Sequence, residues 1–122
     1  MEKIIFKQTP LYRFLEYCNN EKTEEKPKIL DCGAGGVIPP LSLFYNFGYE
    51  TTGIELDEKQ IIKANIFAKE SKQKLNIKMG DMTKLDFNDN TFDFVYSYNS
   101  VFHMKKVQIE KAIKEMKRVF KT

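Results

Sequence analysis

Lys28-Ile29-Leu30-Asp31-Cys32-Gly33-Ala34-Gly35-Gly36 sets a short apolar run against a cluster of glycines. An extended run stopped by glycines predicts a strand feeding a tight turn, because glycine lacks Cβ and reaches positive φ without steric cost. Residues 39–47, with Leu41, Leu43, Phe44 and Phe47, then read as a helix closed by Gly48. Glu50-Thr51-Thr52-Gly53-Ile54-Glu55 is a second strand, β-branched except for its glycine. Asp57, followed three residues later by Gln60, resembles a capping box. It predicts a helix to about Ser71, with Ile61, Ile62, Ile66 and Phe67 on its buried side.

The pattern repeats outward from there. Residues 75–79 form a third strand stopped by Gly80-Asp81, and residues 92–97 form a fourth after the polar turn Asn88-Asp89-Asn90. A last helix carries Ile109, Ala112, Ile113, Met116, Val119 and Phe120 as an amphipathic stripe. Upstream, Leu11, Phe14, Leu15 and Cys18 recur at helical spacing over residues 10–19, and a charged loop joins them to the first strand. Strand and helix alternate, which predicts an α/β fold: a parallel sheet with helices on both faces. The chain divides into an N-terminal helix and loop, 1–27, and a core, 28–122, of one domain or part of one.

In such sheets ligands bind beyond the carboxyl ends of the strands. Asp31, Glu55 and Asp81 stand at three of those ends, about 25 residues apart, one βαβ step each. Each also has a structural reading: Asp31 as holder of its turn, Glu55 as a solvated loop residue, Asp81 as a turn cap. Their joint placement beside the glycine loop favours a binding site.

Composition excludes several alternatives. With 42% hydrophobic and 13% aromatic residues in 122, the chain can bury a core. A net charge of +3 spread among alternating lysines and glutamates reads as solvated helix faces and argues against nucleic acid. No apolar stretch approaches the roughly 18 residues of a membrane span, and Ile4-Ile5-Phe6 is too short for a signal peptide. Cys18 and Cys32 are isolated from each other and from any His, which argues for a reduced, cytoplasmic setting and no structural metal. Cys32 reads as a small buried apolar residue.

Taken in order, these segments resemble class I S-adenosylmethionine-dependent methyltransferases. Residues 29–36 are similar to the family's apolar strand with Asp/Glu-x-Gly-x-Gly, and Gly53-Ile54-Glu55-Leu56-Asp57 to its acidic second-strand loop. Gly80-Asp81-Met82, residues 92–97 and residues 115–121 resemble the third-strand motif, the fourth-strand motif and the segment before the family's Pro-Gly-Gly. The resemblance implies a Rossmann-like sheet of order 3-2-1-4, lacking the family's last three strands. It implies S-adenosylmethionine as cofactor and methyl transfer to a small-molecule acceptor. Glu55 would accept the ribose hydroxyls, Asp81 the adenine amino group, and Asp31 would face the methionine end. Leu56 and Met82 would flank adenine, Gly33 and Gly35 would bring backbone against the methionine moiety, and Ser97 would join the cofactor contacts.

His103, the single histidine, is the general-base candidate, with a packing or lid role as its alternative. Tyr96, Tyr98 and Phe102 are candidates for an acceptor pocket, and Tyr12 and Arg13 for an N-terminal lid. Ser97-Tyr98-Asn99-Ser100 stands where DNA-base amino-methylating enzymes carry Asp/Asn-Pro-Pro-Tyr, which favours a small acceptor. A nicotinamide dehydrogenase would want a third glycine at the place of Ile38 and no Gly80-Asp81. A non-catalytic cofactor-binding or assembly module is the other alternative. The expected edge at strand four, beside an uncovered last helix, predicts a homodimer or dependence on a partner.

Overall fold

The computed structural model describes residues 9–98 and 104–122. The elements run α1 (Thr9–Glu21), β1 (Lys28–Cys32), α2 (Leu41–Asn46), β2 (Glu50–Glu55), α3 (Glu58–Glu70), β3 (Ile77–Met79), β4 (Phe94–Tyr96) and α4 (Lys106–Val119). The four strands form one parallel sheet in the order β3-β2-β1-β4, as expected. β1 is central, and Ile29 to Cys32 are buried on both sides of it.

Strand alternation sorts the core into two layers. Ile29, Phe94 and Tyr96 face α1, α2 and α3 with Leu11, Leu15, Phe44 and Ala64. Leu30, Cys32 and Ile54 face α4, with Ala112 and Val119. Rings bind the first layer together: Phe14 of α1 lies 5.9 Å from Phe44 and 5.4 Å from Tyr96. Tyr49 Oη donates to Asn19 Oδ1 at 2.7 Å, tying α1 to the start of β2.

Several boundaries shift for identifiable reasons. β3 begins at Ile77, because Asn76 is left-handed (φ 57°), although Leu75 stays buried. β4 keeps three residues of the predicted six, and Phe92 makes an isolated parallel bridge to Phe120. α2 loses its predicted ends to Pro39, Pro40 and Phe47. Ile62 and Ile66 are exposed and not buried as expected; Ala64 is the buried residue of α3, with Phe67 and Ala68 packed beside it. Two residues either way from Ala64 is about 200° around the helix, so both isoleucines point from the sheet. On α4 the stripe narrows likewise: Ala112 and Val119 are buried while Ile113 and Phe120 are exposed.

The glycine in β2 has a packing reason. A Cβ at Gly53 would lie 2.5 Å from Ala34 Cβ, 2.9 Å from Leu41 Cδ1 and 3.0 Å from Ile77 Cγ1. These are core atoms with little room to yield. Gly53→Ala is therefore expected to cost about 2 kcal/mol in urea unfolding; an unchanged midpoint would mean that α2 moves aside freely.

Candidate functional site

The first βα turn brings backbone to the carboxyl edge of the sheet. Gly33 and Ala34 both donate their N–H to Ile54 O at 2.9 Å, which pulls the turn across the end of β2. Gly33 and Gly36 have φ of 97° and 124°, values that side chains rarely adopt. Gly35 is required for space: a Cβ there would lie 2.6 Å from Gln60 Cβ and 2.9 Å from Glu55 Cγ.

Glu55 occupies that space. Its Oε1 accepts Gly35 N–H at 2.9 Å, and Oε2 accepts Leu56 N–H at 3.1 Å and Asp57 N–H at 3.2 Å. Asp57 caps α3 by accepting Lys59 N–H at 3.0 Å. The predicted capping box does not close through Gln60, because the cap residue's own N–H is already given to Glu55. A carboxylate offers roughly four acceptor positions, so three are committed and about one is open.

Asp81 is exposed, and its two described bonds fall on Oδ1, from Thr83 N–H at 2.9 Å and Thr83 Oγ1 at 2.7 Å. These bonds hold its carboxyl below the usual range. The turn-cap reading of Asp81 is thus realised. Glu55 and Asp81 meet across a cavity of about 430 Å³, lined also by Gly33, Ile54, Leu56, Gly80, Met82, Thr83, Met104 and Gln108. The loop carrying Asp81 and Met82 is pinned to α4. Glu115 Oε1 accepts Leu85 N–H at 2.8 Å, while Arg118 donates to Glu115, Asp89, Leu85 O and Phe87 O at 2.7–2.9 Å.

Asp31 is apart from this cavity's lining and wholly buried, with neither oxygen hydrogen-bonded. Burial, opposed by the neighbouring Tyr96 hydroxyl and reinforced by the Glu55 charge, raises its carboxyl to about 7. Cys32 is buried as expected, its thiol pushed up to about 12 by burial.

The family assignment follows from comparison with known proteins. Residues 30–122 match the family described as Methyltransferase domain. The chain belongs to this methyltransferase-domain family. It is 35% identical to sterol 24-C-methyltransferase ERG6B of Gibberella zeae over 77% of this chain and 25% of that enzyme. It is 34% identical to norajmaline N-methyltransferase of Rauvolfia serpentina over 78% of this chain and 33% of that enzyme. Among solved structures, the PH0226 protein of Pyrococcus horikoshii OT3 superposes with a TM-score of 0.76 at 28% identity, covering 94% of this chain and 52% of that one. The chain thus spans a third or less of the length of these two enzymes and about half of that solved structure.

Within this methyltransferase domain, the cavity unites five of the residues read from sequence: Gly33, Glu55, Leu56, Asp81 and Met82. Gly35 lies behind Glu55, and Ser97 Oγ is buried and unbonded at the end of β4. Tyr96 does not line the cavity shared by Glu55 and Asp81; it is buried core, its ring 5.3 Å from that of Phe44 and its hydroxyl toward Asp31. Tyr12 and Arg13 stand exposed on α1. His103 and Phe102 lie outside the described residues. Met104 and Gln108 were missed, since no local pattern marks a residue brought in from a distant part of the chain.

The raised Asp31 carboxyl couples the stability of the fold to pH. Between 3.8 and about 7 the folded chain holds a proton the unfolded chain has lost, so this group's stabilisation is complete below that window and lost as pH rises through it. The slope approaches about 1.4 kcal/mol per pH unit. Asp31→Asn should flatten that part of the stability profile, measured by urea unfolding from pH 4 to 8. A wild-type minus variant difference that does not change with pH would contradict the assignment.

Proposed function

We propose that this domain binds S-adenosylmethionine and serves methyl transfer to a small-molecule acceptor. One observation carries the reading: Glu55 and Asp81 face one cavity whose walls include Leu56 and Met82, at the carboxyl edge of a parallel sheet. The residues fit the cofactor's chemistry. Glu55 suits the ribose diol, Asp81 an amino group on adenine, and Leu56 and Met82 the two faces of the base. Gly33 leaves room for the methionine moiety to approach the backbone, toward the buried carboxyl of Asp31, with Ser97 at the neighbouring strand end, while Gly35 serves by making room for Glu55. When bound, S-adenosylmethionine supplies an electrophilic methyl group on a sulfonium. The chain's own part is then chiefly alignment and exclusion of water. His103 is retained as the candidate base toward the acceptor.

Sterol and norajmaline methyltransferases among the relatives support a small acceptor. Among the described residues no helix is long and apolar enough to cross a membrane. Two buried free thiols, Cys18 and Cys32, support a cytoplasmic setting.

Titration with S-adenosylhomocysteine tests the site. Glu55→Ala should weaken binding at least about tenfold, because charge-assisted hydrogen bonds contribute about 1.5–3 kcal/mol each. Asp57→Ala, which removes only a helix cap, should weaken it far less. Equal losses, with circular dichroism showing both variants folded, would overturn the role given to Glu55.

We propose further that the chain forms a homodimer through its β4 side. An apolar groove of about 280 Å³ lies there between α1 and α4, lined by Phe14, Tyr17, Phe94, Val95, Ile113, Met116, Lys117 and Phe120. β4 ends the strand order, and an edge beside bare apolar surface favours intermolecular packing. Sedimentation should show a dimer that Ile113→Glu dissociates; a monomer at high concentration would reject this.

A further inference from the structure

We propose that Tyr96 is a positioning residue of the site, its buried hydroxyl placed to donate a hydrogen bond to Asp31 when that carboxyl ionises to meet a cationic group of the ligand. This rests on the reading above in which Asp31 faces the cofactor's methionine end.

Three geometric facts support it. Asp31 and Tyr96 are register partners across β1 and β4, so their side chains rise from the same face of the sheet as neighbours. Both are buried, and the Asp31 oxygens, Tyr96 Oη and the adjoining Ser97 Oγ all lack a hydrogen bond of ordinary geometry, although hydroxyl and carboxyl are close enough to perturb each other. Buried polar atoms are rarely left unsatisfied, and their grouping here marks a place prepared for polar contact. Third, the Tyr96 ring is fixed between Phe14 at 5.4 Å and Phe44 at 5.3 Å, so its hydroxyl cannot swing away to solvent. A phenylalanine would satisfy that packing equally; the oxygen needs another reason.

The charged and titratable surroundings are consistent with one role. Glu55 from β2 opposes ionisation of Asp31, and Cys32 on β1 adds nothing positive. Cys18 from α1, like Cys32 and Asp31, opposes ionisation of Tyr96, which keeps its proton as a donor. Of these neighbours only the Tyr96 O–H favours the Asp31 anion. With the carboxyl near 7, a cationic ligand arriving at neutral or lower pH expels the Asp31 proton to solvent. The Tyr96 bond makes that expulsion easier.

The test uses the full chain and two readouts. Carbon-13 NMR of the unliganded protein follows the Asp31 carboxyl; Tyr96→Phe should raise its midpoint by about one pH unit. In the wild type, Tyr96 Cζ should report the same transition, a check that does not need the variant to fold. Calorimetry with S-adenosylhomocysteine from pH 5.5 to 8.5 should show affinity rising with pH in the wild type. Tyr96→Phe should bind about tenfold more weakly on the acid side and converge at the alkaline end, while Asp31→Asn loses the pH dependence. An unmoved Asp31 midpoint, or a loss uniform across pH, would overturn the proposal in favour of packing alone. Failure of the wild type to bind at any pH would instead defeat the cofactor reading, with the NMR titration still deciding between Tyr96 and packing.

Discussion

Three backbone N–H groups converge on one carboxylate, that of Glu55, and most of the site's geometry follows from this junction. One N–H belongs to the glycine turn after β1, one to the residue leaving β2, and one to the cap of α3. Without the acid, three donors at the meeting point of a loop, a strand and a helix would need other partners. The same junction explains why Gly35 carries no side chain, since any Cβ would displace Glu55 or Gln60. A ligand diol would have to share, or take over, acceptor positions that already hold the fold together. Binding and local structure therefore draw on the same oxygen atoms.

Asp31 shows the opposite arrangement. Glu55 is rich in partners, whereas Asp31 is sealed in the sheet without one. A buried, unbonded carboxyl lowers stability, and such groups persist mainly where function uses them. The two acids stand near enough for the charge of Glu55 to raise Asp31 further. The site thus pairs one acid that is structurally engaged with another that is buried and has no hydrogen-bond partner.

The third acid depends on a distant helix. Asp81 holds its own turn through Thr83, but the turn is located by Glu115 and Arg118 on α4, which grip Leu85, Phe87 and Asp89. Arg118 is charge-paired with Glu115 and Asp89, and this lifts its own proton affinity while holding Glu115 ionised. A residue pair far along the chain thereby holds the segment that follows Asp81 and Met82, two residues of the cavity wall.

Local chemistry was enough to read the sheet and its ligand edge from the residues in order. Glycine against an apolar run, β-branched residues in β2, and an acid closing each of three strands are short-range signals. The order 3-2-1-4 is implied by the family resemblance and not by these signals, since right-handed βαβ connections also allow other strand orders. Leu56 and Met82 were likewise marked by the family resemblance alone, while short-range signals led to Glu55 and Asp81, because each sits at the end of the strand that delivers it. What they could not reach was decided by packing. Small Ala64 outranked Ile62 and Ile66 on α3, because the helix approaches the sheet through the residue that lets it come closest. Tyr96 became a buried neighbour of Asp31 only when β4 paired with β1 in register. Met104 and Gln108 reached the cavity wall only because α4 docks on the opposite layer. Sequence spacing encodes contacts along one element; contacts between elements follow from how their faces fill space together.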